Sequence, residues 1–323
     1  MKKTIILILL VNFVFIQKSF SQIYIKDFFG PKKSIEKKQA ILKYFKNTTT
    51  IFIARNDDEV DVLQEELNKV WKITPLKVVK YDELQNYLTE ENYSFFEIKG
   101  LKVTIEKTES TSLYLSLYFS KINKKGKLAS WRIAKLELSP NRKTLLRFYE
   151  SKDNQFANQM YNEAVLYNWS NLTIVNFVQQ VNDHILDKTG KDFLERKDSD
   201  KRLGELANKT LYVPKYVLKK FDIIAKKHSE ADTVYQKEEK IFKNYDYKYE
   251  VTTLDELFQK YLDKEEKFYY LSTVKNVNRV LINVVDGFTG EIIYSDHPKI
   301  FTYNLKAKNL KELNSKIKKL NKK

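Results

Sequence analysis

Histidine is the residue type in this chain best suited to proton transfer and metal binding, because imidazole changes its charge near neutral pH. The three histidines are His184, His228 and His297, and they lie far apart in the sequence. None of them has a second histidine at the spacing of a zinc site. Pro298 follows His297, and we interpret this region as a turn. We therefore expect no metal site, no cofactor and no local catalytic motif.

The chain has no cysteine, which excludes thiol nucleophiles, thiolate metal sites and iron–sulfur clusters. It also has no Gly-x-Ser-x-Gly elbow, no Gly-x-Gly-x-x-Gly sequence and no P-loop. Paired carboxylates that hydrolyse a glycan carry no local signature of this kind. A hydrolase of that class therefore stays open as an alternative.

An oxygen-rich run over residues 56–61 resembles a calcium ligand set in composition only. A calcium loop needs a glycine at its sharp turn and a distal glutamate, and this run has neither in the required frame. Carboxylates in the first turn of a helix are favoured by the helix dipole. We interpret the run as the start of a helix, with Asn56 or Asp57 as its cap.

The densest positive charge lies at the end of the sequence. Residues 306–323 contain eight lysines and a single acidic residue, Glu312. Leu310, Leu313 and Ile317 recur at helical spacing, so this stripe should pack on the protein and leave the lysines outside. Such a face could contact an anionic surface. The candidate contacts are Lys306, Lys308, Lys311, Lys316, Lys318 and Lys319.

Tyrosines alternate along one stretch of the second half. Tyr245, Tyr247 and Tyr249 would share one face of a strand. An exposed row of tyrosines could bind a sugar chain or a protein partner. Tyrosine is also a good strand former on a half-exposed sheet, so the aromatic contact is one of two interpretations.

The net charge does not indicate a nucleic-acid-binding protein. The formal charge is +16, but only seven of the 58 basic residues are arginine. Arginine is the preferred residue for bidentate contacts with phosphates and bases. We do not expect a nucleic acid among the partners.

The first 21 residues have the pattern of a secretory signal peptide. Lys2 and Lys3 precede an apolar run, and Ser19 and Ser21 provide small residues for cleavage after Ser21. The run is shorter than the roughly 20 residues of a stable membrane anchor. We therefore expect an exported protein, periplasmic or extracellular, with no transmembrane span after cleavage.

The remaining sequence is long enough for two domains. We predict a first α/β module over residues 22–186, a linker over 187–207, and a second module over 208–323 that ends in the lysine-rich helix. Each module reads as β-α-β-α-β-β-β-α, with a mixed sheet and helices packed on it. The matching order of elements suggests an internal duplication.

Hydrophobic periodicity predicts the individual elements. In the first module, strands are expected near 50–54, 76–80, 93–98, 102–106, 113–119 and 130–138, with helices at 57–71, 81–88 and 171–186. In the second, strands are expected near 210–213, 247–252, 268–274, 279–285, 291–294 and 300–303. Its helices are expected at 216–242, at 254–262 and from Asn309 onward.

These features lead to one main functional expectation. The protein should be a secreted or periplasmic, non-catalytic component of a bacterial envelope that acts by protein–protein or envelope-surface binding. Its partner would be an envelope protein or an anionic polymer. Two alternatives stay open, an extracytoplasmic hydrolase with paired carboxylates and a binder of an anionic envelope polymer or membrane surface.

Overall fold

The structure is a computed structural model of the chain, and the description below is limited to part of it. It describes residues 22–26, 35–88, 92–105, 108–122, 128–151, 161–187, 199–221, 234–264, 266–275, 280–298 and 302–322. The predicted signal peptide and His228 lie outside these residues.

A mixed six-stranded sheet forms the first half of the fold, in the order β1-β6-β5-β4-β2-β3. β2 runs parallel to both β3 and β4, and the other pairs are antiparallel. The strands are β1 (Ile23–Ile25), β2 (Thr49–Ile53), β3 (Leu76–Val79), β4 (Tyr93–Ile105), β5 (Thr108–Ile122) and β6 (Leu128–Glu137).

Four α-helices accompany this sheet in the described part of the first half. The first two are α1 (Ile35–Phe45) and α2 (Val60–Val70), and α2 follows a 3₁₀ turn at Asp57–Glu59. The next two are α3 (Arg142–Glu150) and α4 (Asn171–Leu186). A further 3₁₀ helix at Tyr81–Asn86 replaces the short helix expected at 81–88.

A second mixed sheet has the order β11-β10-β9-β7-β8. β7 runs parallel to β8 and β9, while β9, β10 and β11 are successively antiparallel. The strands are β7 (Leu211–Pro214), β8 (Tyr249–Thr252), β9 (Tyr269–Lys275), β10 (Val280–Asp286) and β11 (Ile292–Asp296). The helices are α5 (Ser199–Gly204), α6 (Glu238–Phe242), α7 (Leu254–Asp263) and α8 (Ala307–Leu320).

The predicted mixed α+β architecture is confirmed, with two mixed sheets and helices packed on them. Without the extra edge strand β1, the two sheets have the same strand order and the same strand directions. This is a similarity of topology. A common origin of the two halves stays a prediction.

The helix α4 lies at the centre of the molecule. Its predicted bounds match the observed ones, and Ser170 caps it by accepting a hydrogen bond from the Thr173 backbone at 3.2 Å. Eleven of its residues are buried, because it packs against the first sheet on one side and against α7 and the second sheet on the other. The two sheets therefore share one core.

The second sheet is covered on both faces, and every residue of β9 and β10 is buried. Tyr270 and Val285 belong to the shared core, while Tyr269 and Val284 face a separate core beneath α5 and α8. Part of the segment predicted as a linker takes part in this second core. Residues 199–207 are helical, and Leu203 and Leu206 are buried there.

The long helix predicted from residue 216 to 242 is wrong. The described part contains a 3₁₀ turn at Lys215–Leu218 and only the short helix α6. The backbone N–H of Phe221 donates to the Asn304 side chain at 2.7 Å, and the Phe221 carbonyl accepts from the same side chain at 2.8 Å. Lys219 pairs with Tyr235 across an antiparallel bridge. These long-range partners replace the local bonds of a helix.

Two other element predictions differ from the structure. The strands expected at 93–98 and 102–106 are one continuous strand, β4, because residues 99–101 between them also pair with β5. Residues 302–303 of the strand expected at 300–303 are not in a strand, and the rest of it lies outside the described residues. The helix α3 was not expected, since residues 140–168 have weak apolar periodicity.

Candidate functional site

The lysine face, defined as the six lysines of α8 and its cap, is exposed along its whole length. The Lys308 ammonium lies 3.7 Å from the Glu312 carboxylate, and the Lys316 ammonium lies 3.7 Å from the Asp200 carboxylate. The other four have no acidic partner within ion-pair distance among the described residues. Lys306, Lys308, Lys311, Lys316, Lys318 and Lys319 therefore form a surface of excess positive charge.

Packing and three asparagines hold α8 in place. Leu310, Leu313 and Ile317 are buried in the second core. The side chains of three asparagines then join α8 to three other segments. Asn309 donates to Asp296 at 2.8 Å, Asn314 donates to Asp246 at 2.9 Å, and Asn321 donates to the Gly204 carbonyl at 2.9 Å. The lysines thus project from a fixed support.

The three candidate tyrosines come together, but not as a row on one strand. Only Tyr249 belongs to β8, and its ring stacks on Phe242 with centroids 4.0 Å apart. Tyr245 is 6% exposed, so it contributes to the second core. Burial raises the pKa of the Tyr245 phenol above its usual range. Tyr247 and Tyr249 are the partly exposed members of the group.

The histidines and the acidic run lie in separate places. His184 is on α4, and His297 is exposed with its Nε2 atom 3.3 Å from Ser295 Oγ. In the acidic run, Asn56 occupies the cap position but its side chain bonds to Glu59 and makes no capping bond to the backbone. In the part of the chain that the structure describes, no group of three or more potential ligands is placed to hold a metal ion.

A cleft of about 200 Å³ opens beside the amino ends of β7 and β9, and sequence reasoning did not anticipate it. It is lined by residues 208–210, residues 266–268, Tyr212 and Lys260, and its lining is mostly polar. The Lys260 ammonium lies over the Tyr212 ring, 5.0 Å from its centroid. Lys209 donates to the Lys267 carbonyl at 3.2 Å. These residues come from separate segments, so no local sequence signal marked the cleft.

A cluster of charged residues supports one wall of this cleft. Arg202 forms ion pairs with Asp286 at 3.4 Å and with Glu291. The Lys267 ammonium lies 3.5 Å from Glu205 and 3.7 Å from Asp286. Each of the three carboxylates therefore has a cationic partner, and the cluster fastens α5 to the β10–β11 hairpin.

The carboxyl ends of the parallel strands in the first sheet are covered, although ligands of open α/β sheets often bind at such ends. Arg55, which follows β2, donates to the carbonyls of Tyr161, Asn162 and Ala164. Tyr161 is fully buried there, and its hydroxyl donates to the Ile53 carbonyl at 3.0 Å. Burial raises the pKa of Tyr161 well above its usual range.

Comparisons with protein-family models, with curated proteins and with solved structures find no match for this chain. Within the described residues, no helix combines the length and the apolar character that are needed to cross a membrane.

Proposed function

We propose that this protein is a non-catalytic, exported binding protein that attaches to an anionic surface of the cell envelope through the lysine face of α8. The observation that carries the proposal is the attachment of α8 by packing and by three asparagine hydrogen bonds, together with the shortage of acidic partners for its lysines. Export rests on the sequence pattern of residues 1–21, which the structure does not describe.

The energetics of α8 support this proposal. Lys308 and Lys311 are three residues apart on one helix, as are Lys316 and Lys319, and each like-charged pair opposes the helix by about 0.2–0.5 kcal/mol. Burial of Leu310, Leu313 and Ile317 favours docking by roughly 1.5–3 kcal/mol each. Packing therefore dominates, and α8 can hold a row of like charges that would weaken an isolated helix.

Attraction to an anionic membrane is the interaction that this row fits best. Each lysine near such a surface contributes about 1 kcal/mol of binding, and the attraction falls with ionic strength. The face has no aromatic side chain in α8 to insert among lipids. The proposal is therefore one of electrostatic adsorption, in which the protein lies on the surface.

Vesicle co-sedimentation tests the proposal. The purified protein should bind vesicles that contain phosphatidylglycerol, should not bind pure phosphatidylcholine vesicles, and should dissociate as salt is raised. Replacement of Lys311, Lys318 and Lys319 by glutamine should weaken binding roughly 100-fold, from three losses of about 1 kcal/mol.

The matched control replaces Lys43, Lys46 and Lys143 by glutamine. These lysines are also exposed and lie on or beside α1 and on α3, so the net charge changes equally. Binding should then change little. If both triple variants lose the same affinity, net charge alone attracts the protein and the assignment to α8 is wrong.

A further inference from the structure

We infer that the cleft beside the amino ends of β7 and β9 binds a small anionic ligand, of about the size of one sugar ring, that carries a carboxylate or a phosphate group. The proposal is independent of the lysine face, because none of the six lysines of that face lines the cleft.

The charge of the lining favours an anion. Lys209, Lys260 and Lys267 line the cleft, and Glu266 is the acidic residue among them. Lys267 is shared with the carboxylates of Glu205 and Asp286 behind it. Lys209 and Lys260 have no ion-pair partner among the described residues, so their charge is available to a ligand.

Hydrogen-bonding groups in the cleft are also available. Lysine has three donors, and the hydrogen bond from Lys209 to the Lys267 carbonyl uses one of them. Within the described part of the chain, the side chains of Asn208 and Thr210 have no hydrogen-bond partner. Lysines and neutral polar groups together can satisfy the oxygens of a phosphate or a carboxylate.

The size and shape of the cleft limit the ligand. Its volume of about 200 Å³ is below the roughly 300–1,000 Å³ of pockets that enclose drug-sized molecules. A polar lining suits a hydrophilic ligand better than an apolar one. Tyr212 and Phe268, whose ring centroids are 6.1 Å apart, form the aromatic part of the wall. One sugar ring with an acidic group meets these limits.

Calorimetric titration of the purified protein with three probes tests the inference. Inorganic phosphate or glucuronate should bind, and glucose should not. Tighter binding of phosphate would assign a phosphorylated ligand, and tighter binding of glucuronate would assign a carboxylated one. No binding of either anion at millimolar concentration, or equal binding of glucose, would overturn the proposal.

Single variants locate the binding. Lys260→Gln should weaken it about tenfold, the loss of one charge-assisted hydrogen bond. Glu266→Gln should strengthen it about threefold, because a like charge is removed. Lys311→Gln on α8 is the matched control and should change nothing. If Glu266→Gln weakens binding, the ligand carries a positive charge as well and the assignment is wrong.

The fold of these variants can be checked separately. Lys260 and Glu266 are exposed, so their thermal unfolding midpoints should equal that of the unmodified protein. If the protein does not bind anionic vesicles but does bind phosphate or glucuronate, the proposed function is wrong and the proposed ligand site in the cleft is supported. If it binds the vesicles but neither small anion, only the proposed ligand site is wrong.

Discussion

The two sheets share strand order and direction, but they differ at the edge where their parallel strands begin. Their registers place Thr50 beside Ser94 in the first sheet, and Leu211 beside Tyr269 in the second. In the first sheet this edge is closed by hydrogen-bonded hydroxyl groups. In the second it opens into the cleft.

The closed edge consists of buried hydroxyls that satisfy one another. Thr50 Oγ1 lies 2.5 Å from Thr74 Oγ1 and 2.9 Å from Ser94 Oγ, and Thr48 Oγ1 donates to Ser94 at 2.9 Å. The Trp71 indole donates to Thr74 at 2.9 Å. Such a network leaves no room and no free partner for a ligand.

The other ends of β4 and β9 differ as well. If β4 and β9 are superposed so that Ser94 matches Tyr269, then Gly100 of β4 and Lys275 of β9 occupy equivalent positions. A side chain at Gly100 would collide with the Phe148 ring, which lies against its backbone. Lys275 is 2% exposed, and its ammonium donates to the Val217 carbonyl at 3.1 Å and to the Lys219 carbonyl. The two halves thus differ at this equivalent position, where the first has a glycine packed against an aromatic ring and the second has a buried lysine.

The largest expected effect comes from the buried charge behind the cleft. Arg202→Met leaves Asp286, which is fully buried, with Lys267 as its remaining cationic partner and with hydrogen bonds from the backbone N–H groups of Phe288 and Thr289. The free energy of unfolding should fall by about 3–5 kcal/mol, the usual cost of removing one partner of a buried ion pair. Equilibrium unfolding in urea measures this change in the free energy of unfolding.

The matched variant in the first half is Lys99→Met. Glu97 is also buried, but Lys99 is 44% exposed and Tyr118 donates a second bond to Glu97. The expected loss is about 1 kcal/mol or less. Equal losses for the two variants would contradict the contrast between an exposed cationic partner in the first half and a buried one in the second.

Sequence patterns predicted the elements whose partners are local or strongly periodic. The helix α4 has apolar residues on nearly every side, and the helix of residues 254–262 begins with Thr253 and Glu256, which form a capping box. The segment around Phe221 was predicted wrongly, because its backbone partner, Asn304, is distant in sequence. A helical pattern of apolar residues cannot reveal such a partner.

The candidate sites show the same limit. The stripe of Leu310, Leu313 and Ile317 is periodic, so the docked side of α8 could be derived from the sequence. The cleft combines residues 208–212, Lys260 and residues 266–268, which only tertiary folding brings together. In a chain with so many lysines, neither Lys209 nor Lys260 stands out.

A second prediction concerns Lys275. Burial, with a smaller contribution from the Lys219 charge, lowers the pKa of Lys275 to about 7. Between pH 7 and its unfolded value near 10.4, the unfolded chain binds the proton and the folded chain does not. Stability should therefore rise with pH in this window.

Comparison with Lys275→Met isolates this effect. From pH 7.5 to 9.5, the stability of the unmodified protein should rise by roughly 2–3 kcal/mol relative to the variant. Urea unfolding at pH 7.5, 8.5 and 9.5 measures the slope. The buried tyrosines, whose pKa values burial raises, are present in both proteins, so the comparison with the variant cancels their contribution. Parallel pH profiles would show that Lys275 is solvated.

The smallest effect is expected at the closed edge of the first sheet. Thr50→Val keeps the shape of the side chain and removes a hydroxyl that lies between Thr74 and Ser94. Thr74 keeps its bond from Trp71 and Ser94 keeps its bond with Thr48, but each of these two buried hydroxyls loses its bond with Thr50. The free energy of unfolding should fall by about 1–2 kcal/mol.

Thr49→Val is the control, since Thr49 is only partly buried and does not belong to the network. Its cost should stay within about 0.5 kcal/mol. If Thr50→Val costs no more than Thr49→Val, packing alone closes this edge. The difference between this edge and the edge at Leu211 and Tyr269 in the second sheet would then come from side-chain volume, and hydrogen bonding would not contribute to it.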